Sequence, residues 1–268
     1  MRVPSHPVFE SLRKLATEGP IVVAHRGCSR DLPENTVPAF AAAHALGVRM
    51  QEFDVRVSRD GALVCMHDEG LDRTTDAARR LGPGALVAQT TLAELQQLDA
   101  GTWHPSFRRP AAVPTLAEAL ATMLPSAVPL IEHKAGDAGA YVAELQRLGA
   151  LQRCILQSFD WAFVTAVRQQ APGLAVAALG PNAEFPRPEA EAIAAAIECG
   201  AGMLHWHAAE LTTTDVARIH AAGLLLCTYT TDDDPRLIGG ALMGFDAMCT
   251  NVPHNALALQ SAGWLRRL

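Results

Sequence analysis

Charged and imidazole side chains stand at the ends of four short apolar segments of this 268-residue chain. They form four pairs, which are His25 with Arg26, Glu52 with Asp54, His67 with Asp68, and Glu132 with Lys134. Because side chains on a strand alternate between its two faces, residues two positions apart point the same way. Glu52 and Asp54 therefore share one face of their segment, as do Glu132 and Lys134.

Two carboxylates on one face of a buried strand are costly unless a positive charge neutralises them, and a hard divalent cation is a natural partner. Guanidinium and ammonium groups hold phosphate oxygens, and imidazole exchanges protons near neutral pH. The set predicts metal-assisted phosphoryl chemistry, with Glu52, Asp54 and Glu132 on the ion. In this interpretation Arg26 and Lys134 hold the phosphate, while the two histidines exchange protons with the nucleophile and the leaving group.

Each of these features alone has a simpler interpretation. A single histidine at a strand end is more often a hydrogen-bonded structural residue, and an isolated E-x-K pair is usually a surface ion pair worth at most about 1 kcal/mol. Asp68 could face outward or orient an imidazole. Four such features at four successive strand ends favour one convergent site.

A scaffold of alternating strands and helices is needed to bring these residues together. The predicted strands are Ile21–His25, Met50–Val57, Ala62–His67, Pro129–Lys134, Cys154–Phe159, Leu174–Leu179, Met203–His207, Leu224–Thr230 and Ala247–Thr250. The predicted helices are Asn35–Leu46, Thr115–Leu124, Ala138–Leu148, Trp161–Gln170, Glu189–Cys199, Thr214–Ala222 and Asp234–Met243. This alternation indicates a parallel sheet, and the length suits a TIM-type (β/α)₈ barrel of about 250 residues.

The sequence contains nine candidate strands, one more than the eight of such a barrel. The turn at Ser58-Arg59-Asp60-Gly61 predicts that the second and third candidates form a hairpin. Residues 71–114 interrupt the alternation, with one modest helix near Thr91–Leu98, and are interpreted as a short excursion after the third strand. Thr115 and Glu118 have the spacing of a capping box at the next helix. The expectation is a single domain over residues 1–268.

Composition excludes several classes of protein. Apolar residues make up 49% of the chain and charged residues 19%, which is enough for a large core. The net charge of −6 gives no reason to expect nucleic-acid binding, and no apolar run approaches the roughly 20 residues that span a membrane. The six cysteines form no C-x-x-C pair, and the first twenty residues lack the apolar core of a secretory signal. A cytoplasmic protein is therefore expected.

Longer motifs around the charged residues resemble those of the glycerophosphodiester phosphodiesterases, closest to the cytoplasmic bacterial members. The most specific lie in the first half of the chain. They are Val23-Ala24-His25-Arg26-Gly27, Pro33-Glu34-Asn35-Thr36, Gln51-Glu52-Phe53-Asp54-Val55-Arg56-Val57-Ser58-Arg59-Asp60-Gly61, Leu63-Val64-Cys65-Met66-His67-Asp68 and Leu71-Asp72-Arg73-Thr74-Thr75. Further matches are Leu98-Asp99-Ala100-Gly101, Val113-Pro114-Thr115-Leu116, Ile131-Glu132-His133-Lys134 and Gln157-Ser158-Phe159, with weaker ones at Tyr229-Thr230-Thr231-Asp232 and Cys249-Thr250-Asn251-Val252-Pro253.

The resemblance implies a TIM-type barrel that hydrolyses small glycerophosphodiesters to sn-glycerol 3-phosphate and an alcohol, using one divalent metal ion, Mg²⁺ or Ca²⁺. Transferred by position, Glu52, Asp54 and Glu132 become the metal ligands, and His25 and His67 the general acid and base. Arg26 and Lys134 would hold the phosphate. Tyr229 occupies a place where family members have Trp or Tyr beside the substrate, a role that rests on resemblance alone.

Several choices stay open at the level of sequence. These are the alcohol, the metal, the oligomeric state, which histidine donates the proton, and whether water or a glycerol hydroxyl attacks. The alternative functions are a lysophospholipase D or sphingomyelinase D-like activity on a lipid, and a barrel that binds a phosphoester without turnover. The second of these is less favoured because both histidines and all three carboxylates are present.

Other candidate residues have structural interpretations. His133 is expected to point away from Glu132 and Lys134, and Cys28 is expected to pack. His205 and His207 have H-x-H spacing that suits a metal, although lining a pocket is favoured. The run 232–234 is expected to cap a helix in a solvated loop, and the segment 34–36 to cap the first barrel helix and support the turn after His25.

Overall fold

The computed structural model describes Val3, residues 5–124 and residues 126–266. Within these residues nine strands occur at the nine predicted places. They are β1 (Ile21–His25), β2 (Met50–Val57), β3 (Leu63–Cys65), β4 (Val128–His133), β5 (Ile155–Ser158), β6 (Ala175–Gly180), β7 (Met203–His207), β8 (Leu225–Tyr229) and β9 (Ala247–Thr250). The bounds of β1, β2, β7 and β9 are those predicted, and the others differ by one or two residues at an end.

The helices of the described residues include all seven that were predicted. They are α1 (Pro7–Ala16), α2 (Val37–Ala45), α3 (Ala77–Arg80), α4 (Leu92–Leu95), α5 (Leu116–Met123), α6 (Ala138–Arg147), α7 (Trp161–Gln170), α8 (Ala190–Glu198), α9 (Thr213–Ala221), α10 (Asp234–Met243) and α11 (Pro253–Ser261). Sequence analysis did not predict α1 or α11. Helix α1 begins with Pro7 and is capped by His6, whose Nδ1 accepts from the Val8 amide, and histidine is not among the usual capping residues.

The order of the strands in the sheet is β1-β9-β8-β7-β6-β5-β4-β2-β3, and β1 also pairs with β2. This is the strand order of a (β/α)₈ barrel to which β3 is added as a hairpin arm, so the predicted fold class is confirmed. Strands β2 and β3 are antiparallel with Val57 opposite Leu63, and the Gly61 amide donates to the Ser58 carbonyl. The predicted hairpin is thereby confirmed, which leaves eight strands for the eight barrel places.

The chain forms two compact units, Met1–Val23 with Asp137–Leu268, and Ala24–Gly136. In the first, strands β5 to β9 pair in parallel and in sequence order. In the second, β2 pairs in parallel with β4 and antiparallel with β3. The single domain over residues 1–268 stays a prediction.

The excursion, residues 71–114, lies in the unit of residues 24–136 and forms a small core together with Val64 of β3 and Met66. The buried residues of that core are Val64, Met66, Leu71, Ala77, Val87, Leu95, Leu98, Ala100 and Val113. The predicted helix near Thr91–Leu98 is only one turn, α4, with a capping box made by Thr91 and Glu94. The capping box of Thr115 and Glu118 at α5 is present as predicted.

Among the described residues, no helix has both the length and the apolar character needed to cross a bilayer. All six cysteines are buried and free of disulfides.

Candidate active site

The three predicted metal ligands lie together on two neighbouring strands. Asp54 of β2 is directly opposite Glu132 of β4, and Glu52 precedes Asp54 by two residues on the same face. One carboxylate oxygen from each lies within 4.8 Å of one from each of the others, and all three side chains are buried. Among the described residues this is the only group of three or more metal-binding side chains, and it could hold a metal ion.

Two cations flank the three carboxylates. Arg26 Nε lies 3.0 Å from Asp54 Oδ2, and Lys134 Nζ lies 3.3 Å from Asp54 Oδ1 and contacts Glu132. Glu52 Oε1, by contrast, is buried and accepts no hydrogen bond from any residue that the structure describes. The three carboxylates offer hard oxygen atoms as ligands. Three ionised carboxylates and two cations, with both histidines neutral, leave the site with one net negative charge. These observations fit a divalent cation.

Burial acts differently on the three carboxyl groups. It raises the pKa of Glu52 well above its ordinary value and that of Glu132 to about 7, and in both cases the charge of Asp54 adds to the effect. Burial would also raise the pKa of Asp54, but Arg26 and Lys134 together keep that pKa below its usual value. Asp54 is thus ionised over the widest range of pH, while the ionised forms of Glu52 and Glu132 are favoured by a further positive charge.

This difference predicts how metal binding depends on pH. Protonation of Glu52 and Glu132 favours the folded chain without metal, because their folded pKa values are raised, and this contribution is lost as the pH rises through about 7 for Glu132. A cation binds the ionised form. We expect saturating Mg²⁺ or Ca²⁺ to raise Tm by roughly 5 °C or more at pH 8, and by less at pH 6.

Differential scanning fluorimetry with and without EDTA measures this shift. Glu132→Gln is expected to lose most of it, whereas Glu191→Gln, at an exposed position of α8, is expected to keep it. An equal shift in wild type and Glu132→Gln would mean that the stabilising ion binds elsewhere.

The turn that follows β1 places Arg26 beside the carboxylates. Arg26 has a left-handed backbone with φ of 56°, which is uncommon for a residue with a side chain and typical of functional sites. At Gly27, a Cβ atom would lie 2.6 Å from the Ala39 carbonyl carbon, so glycine is required where the turn meets α2. The Arg26 amide donates to the Glu52 carbonyl at 2.8 Å and to Glu52 Oε2 at 3.2 Å.

The segment 34–36 was predicted to support this turn and to cap α2. It supports the turn, but no side chain of the segment makes the predicted capping hydrogen bond. Thr36 occupies the N-cap position, yet its hydroxyl donates to the Pro33 carbonyl and makes no capping hydrogen bond. The Asn35 side chain donates to Asp54 Oδ2 at 2.8 Å and accepts from the Asp54 amide at 3.2 Å. Asn35 therefore orients a predicted metal ligand. This role was not predicted, because asparagine before a helix was interpreted as a capping residue.

The two histidines have different neighbours. His25 Nε2 lies 3.8 Å from Glu52 Oε2. His67 Nδ1 is 2.6 Å from Asp68 Oδ1, so Asp68 orients the ring, one of its two predicted alternatives. Burial lowers the pKa of His67, although the charge of Asp54 opposes the effect.

Arg73 was missed as a site residue, although its motif was part of the resemblance. Its guanidinium donates two hydrogen bonds to Glu34, at 2.8 and 2.9 Å, and others to Asp68. An arginine in a polar loop of the sequence gives no signal of its partners.

Tyr229 belongs to the unit of residues 1–23 and 137–268, at the end of β8. Its hydroxyl donates to the Gly180 carbonyl at 2.9 Å, and its ring meets those of Phe159, His205 and His207 edge-on. The contact of Tyr229 with substrate stays a prediction.

Most of the remaining candidates have structural partners, and the pocket-lining role favoured for His205 and His207 stays a prediction. His205 Nδ1 hydrogen-bonds Gln157 Oε1 at 2.8 Å, and burial raises the pKa of the Cys28 thiol to about 11, which makes it a poor nucleophile. His133 Nε2 lies 3.0 Å from the Gly136 carbonyl. Asp233 caps α10 as expected, while Asp232 accepts hydrogen bonds from residues 250 and 251.

A (β/α)₈ strand order combined with buried carboxylates, two flanking cations and two histidines is typical of barrel enzymes that hydrolyse phosphate esters with a metal ion. The model of the glycerophosphoryl diester phosphodiesterase family matches residues 25–255. The chain belongs to this family, which confirms the resemblance and the predicted enzyme class.

Individual relatives agree with this membership. A glycerophosphodiester phosphodiesterase of Bacillus subtilis is 30% identical over 259 residues, covering 87% of this chain and 84% of the relative. A solved structure of a phosphodiesterase from Oleispira antarctica in complex with the product sn-glycerol-3-phosphate has a TM-score of 0.79 to this chain, with 26% identity, and the match covers 92% of this chain and 98% of that one. The crystal structure of a glycerophosphodiester phosphodiesterase from Agrobacterium tumefaciens has a TM-score of 0.76 and 28% identity, and the match covers 89% of this chain and 99% of that one.

Proposed function

We propose that this protein hydrolyses small glycerophosphodiesters to sn-glycerol 3-phosphate and a free alcohol, with one Mg²⁺ or Ca²⁺ ion held by Glu52, Asp54 and Glu132. The observation that carries the proposal is the buried carboxylate cluster with Arg26 and Lys134 against it. The product bound to the Oleispira antarctica relative supports the same substrate class. The six free, buried cysteines support a cytoplasmic protein.

A divalent cation held by Glu52, Asp54 and Glu132 would supply positive charge that stabilises the phosphoryl oxygens and makes the attacking hydroxyl more acidic. The chain prepares the place for it. Asn35 fixes the Asp54 carboxylate through two hydrogen bonds, and the Arg26 amide fixes Glu52 Oε2. Among the described residues Glu52 Oε1 has no hydrogen-bond donor, whereas Lys134 contacts Asp54 Oδ1 and Glu132 Oε1, so Glu52 Oε1 would gain from a cation.

Arg26 and Lys134 bind the phosphodiester. Their attachment to Asp54 holds both cations in place before substrate arrives, so little reorganisation is needed during reaction. A phosphodiester has one negative charge, and its transition state gathers more on the non-bridging oxygens. The two side chains therefore stabilise the transition state more than the bound substrate, which is the condition for a faster chemical step.

His67 is the general base in this proposal. Hydrogen bonds from Arg73 hold the pKa of Asp68 well below its usual range, so the Asp68 carboxylate accepts the hydrogen on His67 Nδ1. Nε2 is then left as the acceptor, and burial keeps the imidazole neutral near pH 7. The attacking hydroxyl belongs either to water or to the substrate's glycerol. His67 takes its proton as the hydroxyl oxygen bonds to phosphorus.

His25 is the general acid. As the bond between phosphorus and the alcohol oxygen breaks, His25 gives that oxygen a proton, so the alcohol leaves neutral. Attack by a glycerol hydroxyl forms a cyclic phosphate, whose hydrolysis by water completes the reaction with the histidine roles reversed.

A substrate panel tests the proposal. Glycerophosphocholine, glycerophosphoethanolamine and lysophosphatidylcholine are incubated with the protein and Mg²⁺, Ca²⁺ or EDTA. Release of sn-glycerol 3-phosphate is measured with its dehydrogenase, and release of choline, which accompanies lysophosphatidic acid when lysophosphatidylcholine is hydrolysed, is measured with choline oxidase. We expect metal-dependent release from the two glycerophosphodiesters and background rates with EDTA. Turnover of lysophosphatidylcholine alone would support the lipid alternative, and binding without turnover of any compound would support a non-catalytic barrel.

A further inference from the structure

The guanidinium of Arg73 joins two carboxylates that each contact a different residue of the proposed reaction. Nη1 and Nη2 of Arg73 donate to the two oxygens of Glu34 at 2.9 and 2.8 Å. Nε and Nη2 donate to the two oxygens of Asp68, the latter at 3.1 Å. All five donors of arginine lie in one plane, so a single side chain can serve both carboxylates at once.

Each carboxylate has its second partner in the proposed machinery. Asp68 meets His67 Nδ1 at 2.6 Å, and Glu34 accepts from Arg26 Nη1 at 2.8 Å. The contacts therefore run without interruption from the general base, through Arg73, to the arginine that binds phosphate.

The backbone around Arg73 is anchored although its side chain is 45% exposed. Leu71 is completely buried in the core of the excursion, and its amide donates to the Ala85 carbonyl at 2.9 Å. The Thr75 hydroxyl donates to the Leu71 carbonyl at 2.6 Å and closes the turn. The excursion thus delivers Arg73 to one fixed position.

We propose that Arg73 is a positioning residue that fixes His67 through Asp68 and Arg26 through Glu34. The inference rests on the proposed function for the roles of His67 and Arg26. Without Arg73, Arg26 is the remaining cationic partner of Glu34 among the described residues, and the full charge of Glu34 draws that guanidinium away from phosphate. Asp68 loses the donors that hold its oxygens and becomes free to turn from His67.

Steady-state kinetics of two variants test the proposal. Arg73→Ala is expected to lower kcat/KM by about 10- to 100-fold, as is usual when the residues that orient catalytic groups are removed. Arg73→Lys is expected to recover only part of this loss, because an ammonium cannot bridge two carboxylates in the same way. Arg79→Ala is the matched control, since Arg79 is an exposed arginine of the same excursion that pairs with Asp76; we expect a change below roughly twofold.

A double-mutant cycle separates positioning from a general structural role. In the background Asp68→Asn with Glu34→Gln, the further loss caused by Arg73→Ala is expected to shrink to about threefold or less, because its targets are already removed. Equal losses in both backgrounds would overturn the proposal, as would a loss fully restored by Arg73→Lys. The Tm of each variant is measured alongside, so that unfolding is recognised.

A measurement that needs no turnover keeps this inference separate from the proposed function. ¹⁵N NMR of the imidazole, assigned by loss of the signal in His67→Gln, reports which ring nitrogen of His67 holds hydrogen. We expect hydrogen on Nδ1 in the wild type and a mixture of tautomers in Arg73→Ala. An unchanged tautomer would overturn the inference even if hydrolysis were established, and absence of hydrolysis with a changed tautomer would overturn only the proposed function.

Discussion

Glu52→Gln is expected to lower kcat/KM by on the order of a thousandfold while leaving the fold intact. A bound cation stabilises the transition state by several kcal/mol, and about 1.4 kcal/mol corresponds to a factor of ten in rate. Glutamine keeps the shape of the side chain and can still accept from the Arg26 amide. It removes the charge that the proposed cation requires.

Stability separates this effect from simple damage. The pKa of Glu52 is raised well above its ordinary value by burial, which means that its ionised form destabilises the fold when no cation is present. Glu52→Gln in EDTA should therefore have a Tm at pH 8 equal to or above that of the wild type, yet show no increase with Mg²⁺ or Ca²⁺. Glu191→Gln is the matched control and should behave as wild type. A Glu52→Gln enzyme with normal turnover would exclude the carboxylate cluster as the metal site.

Replacement of the two histidines is expected to have the second largest effect and to distinguish their roles. General acid or base catalysis contributes roughly 10²- to 10⁴-fold, so His25→Ala and His67→Ala should each lose about this much with glycerophosphocholine. With a glycerophosphodiester whose alcohol is p-nitrophenol, the leaving group needs no proton. His25→Ala should then recover most of its rate, whereas His67→Ala should remain slow.

The pH profile adds an independent readout to this pair. The profile is measured with Mg²⁺ or Ca²⁺ saturating at every pH, so that Glu52 and Glu132 stay ionised. The base acts in its neutral form, and burial lowers the pKa of His67, so the wild type should then keep its kcat/KM below pH 6.5 before losing it in acid. His67→Ala should lack this acidic limb. His44→Ala, at an exposed position at the end of α2, serves as the control. Recovery of His67→Ala rather than His25→Ala with the p-nitrophenyl ester would reverse the assignment.

The positions of the barrel elements could be predicted because burial imposes periodic patterns on local sequence. Strands such as β2 and β4 are largely apolar, and carboxylates within such strands marked Glu52, Asp54 and Glu132 as candidates. Helix α1 escaped prediction because its cap is His6, and the helix near Thr91 was predicted too long because its apolar residues extend into the following turn.

By itself the sequence determined the barrel class, the family and the charged residues that are proposed to react, since each depends on residue type at short spacing along the chain. Only the tertiary structure decided the partners of Asn35, Glu34 and Arg73. Asn35 lies 19 residues from Asp54, and Arg73 lies 39 residues from Glu34, so their hydrogen bonds follow from how loops return to the strand ends. No local pattern encodes such a meeting, because a polar side chain in a loop satisfies the same propensities whether water or a buried carboxylate is its partner.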